Sequence, residues 1–130
     1  MTHTFPLRVY YEDTDLAGIV YYANYLKFIE RARTEWVRGL GIDQTVLKSD
    51  TGVVFAVRRV EADYLAPARF DDQLTVRTAV QAVGGARLVV RQDVTRDNDV
   101  LFSALVTLVT LTATGAATRL PAEFRQQVSA

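Results

Sequence analysis

The strongest constraint on what this chain can fold into is a change of period at Asn24. From there Tyr25, Phe28, Ile29, Ala32, Trp36 and Leu40 recur at three- and four-residue steps. Only a helix brings such positions onto one face. Lys27, Glu30, Arg31, Arg33, Thr34 and Arg38 fall largely on the other side, and Arg31 and Glu35 stand one turn apart, where they can pair. Asn24 is the expected N-cap, and Gly39 and Gly41 the expected stop. The result is one helix of about four turns with a single apolar face, and it needs a sheet to cover.

The flanking sequence supplies that sheet. Thr4 to Tyr11 reads as a short strand, and Val53 to Leu65 as a long one. Ala66-Pro67-Ala68 with Asp71-Asp72 forms a turn. Gln73 to Val83 alternates, with Leu74, Val76, Val80 and Ala82 on one face. Gly84-Gly85 predicts a two-residue hairpin with both residues at positive φ. Ala86 to Arg96 returns, Asp97-Asn98 turns, and Val100 to Ala113 makes a last strand, apolar on both faces and so expected to be covered on both. Pro121 to Val128 reads as a short terminal helix. The pattern predicts one α+β domain over residues 1–130, a long central helix wrapped by a curved antiparallel sheet of about five strands. One helix cannot cover every apolar strand position, so a homo-oligomer is expected, dimer or tetramer.

Composition removes several functions. The 130 residues balance 15 basic against 15 acidic side chains, so the electrostatic footprint of a nucleic-acid binder is missing. Met1 to Arg8 does not read as a signal peptide, and Val100 to Leu111 is too short and too interrupted by Ser103, Thr107 and Thr110 to span a bilayer; a cytoplasmic protein is expected. With no cysteine there is no thiolate nucleophile and no cysteine-ligated metal. The one histidine, His3, falls in a segment expected to be mobile, which leaves a Ser-His-Asp triad or a histidine zinc site without its imidazole. Chemistry here must come from carboxylates, tyrosines, hydroxyls and backbone dipoles, and no metal or redox cofactor is expected.

Tyr10 to Tyr25 stands out as a connection. It holds Glu12, Asp13, Asp15, Gly18 and a cluster of tyrosines just ahead of the helix. Asp13 and Asp15 can both be plain turn residues, and composition does not choose between them. The run YEDTDLAGIVYYANYLKFIERARTEWVRGL, Tyr11 to Leu40, resembles the signature of the hot-dog-fold acyl-CoA thioesterases. It is most similar to the subfamily associated with the Tol–Pal envelope system, itself related to 4-hydroxybenzoyl-CoA thioesterase; Tyr64 to Arg69 and Asp71-Asp72 also look like that family.

The resemblance implies hydrolysis of an acyl-CoA thioester, with the catalytic carboxylate at Asp15 and carbonyl-polarising amides around Gly18, Ile19, Val20 and Tyr22. Thioester hydrolysis needs an activated nucleophile and a home for a developing oxyanion, and amide donors at a helix start suit the second task. Many members of the Tol–Pal subfamily carry histidine at the position of Tyr22, so this chain departs from them and its pH profile and substrate range can differ. By position in the related fold, Arg87 and Arg119 are the candidates for the phosphates of coenzyme A, with Arg58, Arg59 and Arg69 competing. A hydratase of the same fold would lack its histidine; a non-catalytic acyl-CoA-binding or Tol–Pal scaffold protein is the alternative of another class. The acyl group, and coenzyme A against acyl carrier protein as its carrier, are not readable.

Overall fold

The computed structural model describes residues 2–129, so the first and last residues of the expected 1–130 domain, Met1 and Ala130, lie outside the described residues. The chain runs β1 (Thr2–Arg8), a 3-10 turn (Tyr11–Asp13), α1 (Asn24–Gly39), α2 (Gln44–Thr51), β2 (Val54–Tyr64), β3 (Gln73–Val83), β4 (Arg87–Arg96), β5 (Asp99–Leu111), β6 (Ala117–Thr118) and α3 (Ala122–Ser129). The strands form one antiparallel sheet in the order β1-β3-β4-β5-β2, with β6 added beside β5. Among the described residues this is the expected sheet of about five strands, with the two-residue β6 beside it.

α1 forms where the period places it, and it packs chiefly over β1, β3 and β4. Its buried face is Tyr25, Phe28, Ile29, Ala32, Trp36 and Val37. These meet Leu74, Val76, Leu88, Val90, Val94, Phe102 and Val106 from the sheet in one core. Two details of the helix differ from expectation. The N-cap is Ala23; Asn24 is already helical, and its side-chain amide donates to the Asp13 carbonyl at 2.9 Å instead of closing the helix. Glu35 pairs with Arg38, not Arg31. At the other end Leu40 caps the helix, and Gly41 follows at φ +84°, with its N–H on the Arg38 carbonyl.

Three strand expectations are corrected. Gly84 and Gly85 do not make a two-residue hairpin: Gly84, Gly85 and Ala86 all lie between β3 and β4, and neither glycine takes a left-handed φ. A register shift between Val80 and Ala82 exposes Ala82 and turns Val83 toward the core. The loop is then held from outside the hairpin, because the Leu120 N–H donates to the Gly85 carbonyl at 2.9 Å. The last long strand stops at Leu111, after which the chain turns into β6. On β5 one face is buried while Ser103, Leu105, Thr107, Val109 and Leu111 on the other are only half-buried.

Two elements carried weak signals. Sequence periodicity passes over α2, a short exposed helix capped by Asp43, whose carboxylate accepts from the Thr45 and Val46 N–H groups. His3 is not in a mobile segment; it sits in β1 opposite Thr78. It remains far from Asp15, because β1 meets the Asp15 end of the sheet through Arg8 and Val9.

Candidate active site

The loop from Asp13 to Val20 is a closed device. Thr14 pairs with Val20 and Ile19 with Arg69 as isolated bridges. The Asp15 N–H donates to the Ile19 carbonyl and the Gly18 N–H to the Asp15 carbonyl, both at 2.9 Å. Gly18 sits at φ +79° with open space where a Cβ would lie, so conformation rather than crowding demands glycine there. The Val20 N–H donates to the Ala68 carbonyl at 2.8 Å, which fastens the loop to the segment after β2. That segment is tied in turn: the Ala68 N–H donates to the Tyr25 hydroxyl at 3.1 Å, and the Asp72 carboxylate accepts from the Arg69 N–H and from Arg96, each at 2.8 Å.

The cleft, not the bonding of the carboxylates, separates the two aspartates. Asp13 Oδ2 accepts the Tyr10 N–H at 2.8 Å, and its carbonyl accepts from the Tyr21 N–H and from Asn24. Asp15 spends Oδ1 on the Ala17 N–H at 2.9 Å. Its side chain lines a cleft of about 400 Å³ together with Ile19, Val20, Tyr21, Tyr22, Tyr25, Tyr64, Leu65, Ala66 and Pro67. The walls are mostly aromatic and aliphatic. Tyr22 stacks edge-on against Tyr21 and Tyr64, and Tyr25 lies flat on Phe102 with ring centres 5.0 Å apart.

Of the residues expected to polarise a carbonyl, Gly18 and Val20 have their N–H groups engaged inside the fold, as has Tyr21. The N–H groups of Tyr22 and Ala23 take no partner among the described residues, and both stand at the start of α1, where helix donors are open. The carbonyls of the same peptide units are occupied: the Asn24 N–H donates to Tyr21 and the Tyr64 hydroxyl to Tyr22.

Burial pushes the Tyr25 phenol up, the Ala68 hydrogen bond and Arg96 opposing it while Asp72 adds to it. Burial, then Tyr22 and Tyr25, raise that of Tyr64, so both rings stay protonated through neutral pH. Burial disfavours the charged form of Asp72, but the Arg69 N–H and the hydrogen bond and charge of Arg96 outweigh it and hold its carboxyl below the usual value.

The candidate arginines lie elsewhere. Arg87 opens β4 opposite Val109, and Arg119 sets its guanidinium over Gly85, where a Cβ would come within 3.2 Å of Nη1. Arg125 joins them, its Nε donating to the Gly84 carbonyl at 3.3 Å. Among the competitors, Arg59 is paired with Glu61 at 2.6 Å, and Arg69 alone sits beside the Asp15 loop. Tyr64 and Tyr25 are the site residues that periodicity passes over, Tyr25 because it reads as core. Among the described residues no group of three or more His, Asp or Glu side chains could hold a metal ion, and no helix is long and apolar enough to cross a membrane.

One long helix against an antiparallel sheet is the α+β architecture of the hot-dog fold, and comparison with known proteins agrees. The profile of the thioesterase superfamily matches residues 17–103, and the chain belongs to that superfamily. It is 45% identical over 103 residues to the acyl-CoA thioesterase YbgC of Haemophilus influenzae, covering 79% of this chain and 76% of that one. Among solved structures, a probable thioesterase from Bartonella henselae superposes with a TM-score of 0.89 at 36% identity, covering 93% of this chain and all of the other. A 4-hydroxybenzoyl-CoA thioesterase mutant in complex with 4-hydroxybenzoyl-CoA superposes at 0.92 with 23% identity over 98% of each chain, a likeness of fold.

Proposed function

We propose that this chain is an acyl-CoA thioesterase that uses Asp15 as its catalytic carboxylate. The observation that carries the reading is the division of labour at Asp15: one oxygen is pinned by Ala17 while the side chain lines an apolar cleft next to amides without internal partners. A thioester carbonyl seated there meets the open N–H of Tyr22, which stabilises the negative charge that forms on its oxygen. Asp15 then activates a water, or attacks the carbonyl itself, and the coenzyme A thiolate leaves. The loop, closed by its backbone hydrogen bonds, supplies the orientation. Arg87 and Arg119 serve the phosphates of coenzyme A.

The proposal includes a cytoplasmic homodimer or homotetramer. β2 is an edge strand, and Val60 and Val57, which pair with the buried Val106 and Leu108 and so face inward, are 38% and 46% exposed. A second copy pairing along β2 covers both the edge and that face. A link to the Tol–Pal system rests on the resemblance of the Tyr11–Leu40 run. The test is thiol release from short, long and aromatic acyl-CoAs; failure to release thiol from any of them overturns the function. Light scattering should give a dimer or larger, and a monomer at micromolar concentration removes the oligomer.

A further inference from the structure

A second cleft, of about 230 Å³, opens between α1 and β2, and none of the residues lining it lines the Asp15 cleft. Its walls include Val37, Phe55, Val57 and Leu108, and the Arg33 guanidinium is set among them. Arg33 is aimed from below. Its Nη1 donates to Gln92 Oε1 at 2.9 Å, and Gln92 is wholly buried in β4. The Gln92 amide nitrogen is spent on the Ile29 carbonyl and the Thr78 hydroxyl, both at 2.9 Å. A carbonyl only accepts and a guanidinium only donates, so this amide has a single orientation and fixes the arginine head. Among the described residues no carboxylate pairs with Arg33, and its Nε and Nη2 take no partner.

As a purely structural device this arrangement is costly. Burial lowers the Arg33 guanidinium from its ordinary value, with the charge of Glu30 opposing, so a cation is held where water solvates it poorly. An apolar side chain would fill the same space without that cost. Glu30, the one carboxylate on the lining, is exposed to solvent and accepts from the Thr34 hydroxyl at 3.3 Å, which makes it a weak counter-ion. We propose that the cleft between α1 and β2 binds a small carboxylic acid with an apolar body, its carboxylate on the free Nε–Nη2 edge of Arg33 and its hydrocarbon against Phe55, Val57 and Leu108. The planar fork of a guanidinium matches two carboxylate oxygens at once. The space holds roughly eight water-sized groups at about 30 Å³ each, the size of hexanoate. Acids of this class are what thioester hydrolysis releases, yet the site stands whether or not Asp15 is catalytic.

The test sets hexanoate against hexanamide, which share a shape and differ in charge, each titrated into the full chain and followed by ¹H–¹⁵N NMR. Hexanoate should shift the Ala56, Val57 and Leu108 amides and the Arg33 Nε–H, with a Kd of about 1 mM, within reach of a ligand of its size. Hexanamide should bind roughly tenfold more weakly, because the charge-assisted bonds are lost. Arg33→Gln should erase the difference between the two ligands, and Glu30→Gln should tighten hexanoate. Equal affinities overturn the proposal on the parent chain, with no variant needed. An absence of shifts overturns it too, and would mean that a side chain of a second copy fills the cleft. Shifts confined to Tyr22 and Tyr64 would place the acid in the Asp15 cleft and leave Arg33 a structural residue. None of these outcomes bears on thiol release, which tests the thioesterase reading separately.

Discussion

The two ends of the sheet are built on opposite plans. At one end the Asp15 loop is closed by backbone bonds, fastened to Ala68 and walled by tyrosines, and a carboxylate is offered to an apolar cleft. At the other, Arg87, Arg119 and Arg125 surround Gly84-Gly85 with their charges turned to solvent, and none of the three has a carboxylate partner among the described residues. A loop fixed by backbone bonds suits bond breaking, where an error of an ångström in geometry is costly. Exposed arginines suit capture of an anion, where long-range charge and adaptable side chains suffice. From Arg87 to Val94, which lies opposite Phe102, β4 spans ~24 Å at ~3.4 Å per residue. Bridging the two ends takes a substrate of that length or a second copy of the chain.

The sharpest way to break this contrast is at Asp15. Asp15→Asn keeps the shape and the Ala17 contact, and should lower kcat by at least ~10²-fold while acyl-CoA still binds and the fold persists. Asp13→Asn, at a carboxylate already engaged by the Tyr10 N–H, should cost far less turnover and show instead in thermal stability. Near-normal turnover of the Asp15 variant would return that carboxylate to the turn residues.

A smaller effect is expected from the arginine end. Arg87→Ala and Arg119→Ala should each raise KM roughly three- to tenfold with little change in kcat, the pattern for binding shared by ground and transition states. Gly85→Ala should imitate the Arg119 change more weakly, because the new methyl displaces only the flexible end of that side chain. Unchanged KM in all three would make these arginines ordinary surface charges.

The smallest effect concerns the floor of the Asp15 loop. The carboxyl of Asp72 is held below its ordinary value in the fold, so its contribution to stability is present above that ordinary value and lost as pH falls through the lowered one. Asp72→Asn should therefore lower Tm at pH 7 by a few degrees, about 1 kcal/mol, and the gap from the parent should close in acid. A gap independent of pH would mean that the charge of Asp72 is not what ties the segment down.

Much of this was legible before folding. Amphipathic spacing located α1 and its core face, and alternation located β3 with both its ends. Two of the expectations that failed were of one kind. Asn24 has the chemistry of an N-cap, yet a tertiary acceptor, the Asp13 carbonyl, claims its side chain. Gly84-Gly85 has the chemistry of a tight turn, yet a bulge and the Leu120 N–H reset the loop. For the site, resemblance picked Asp15 over Asp13 where local composition could not; each carboxylate accepts one backbone N–H, and of the two residues only Asp15 lines the cleft.

The sequence by itself determined the helix, the antiparallel sheet and the residues available for chemistry, because hydrophobic periodicity and side-chain inventory are local properties. Only the tertiary structure decided which amides are spent and which are open, and which phenol reaches the Tyr22 carbonyl. The Val20 amide and the Tyr22 carbonyl are engaged through hydrogen bonds between segments 42 or more residues apart, Val20 to Ala68 and Tyr64 to Tyr22, which no local pattern encodes.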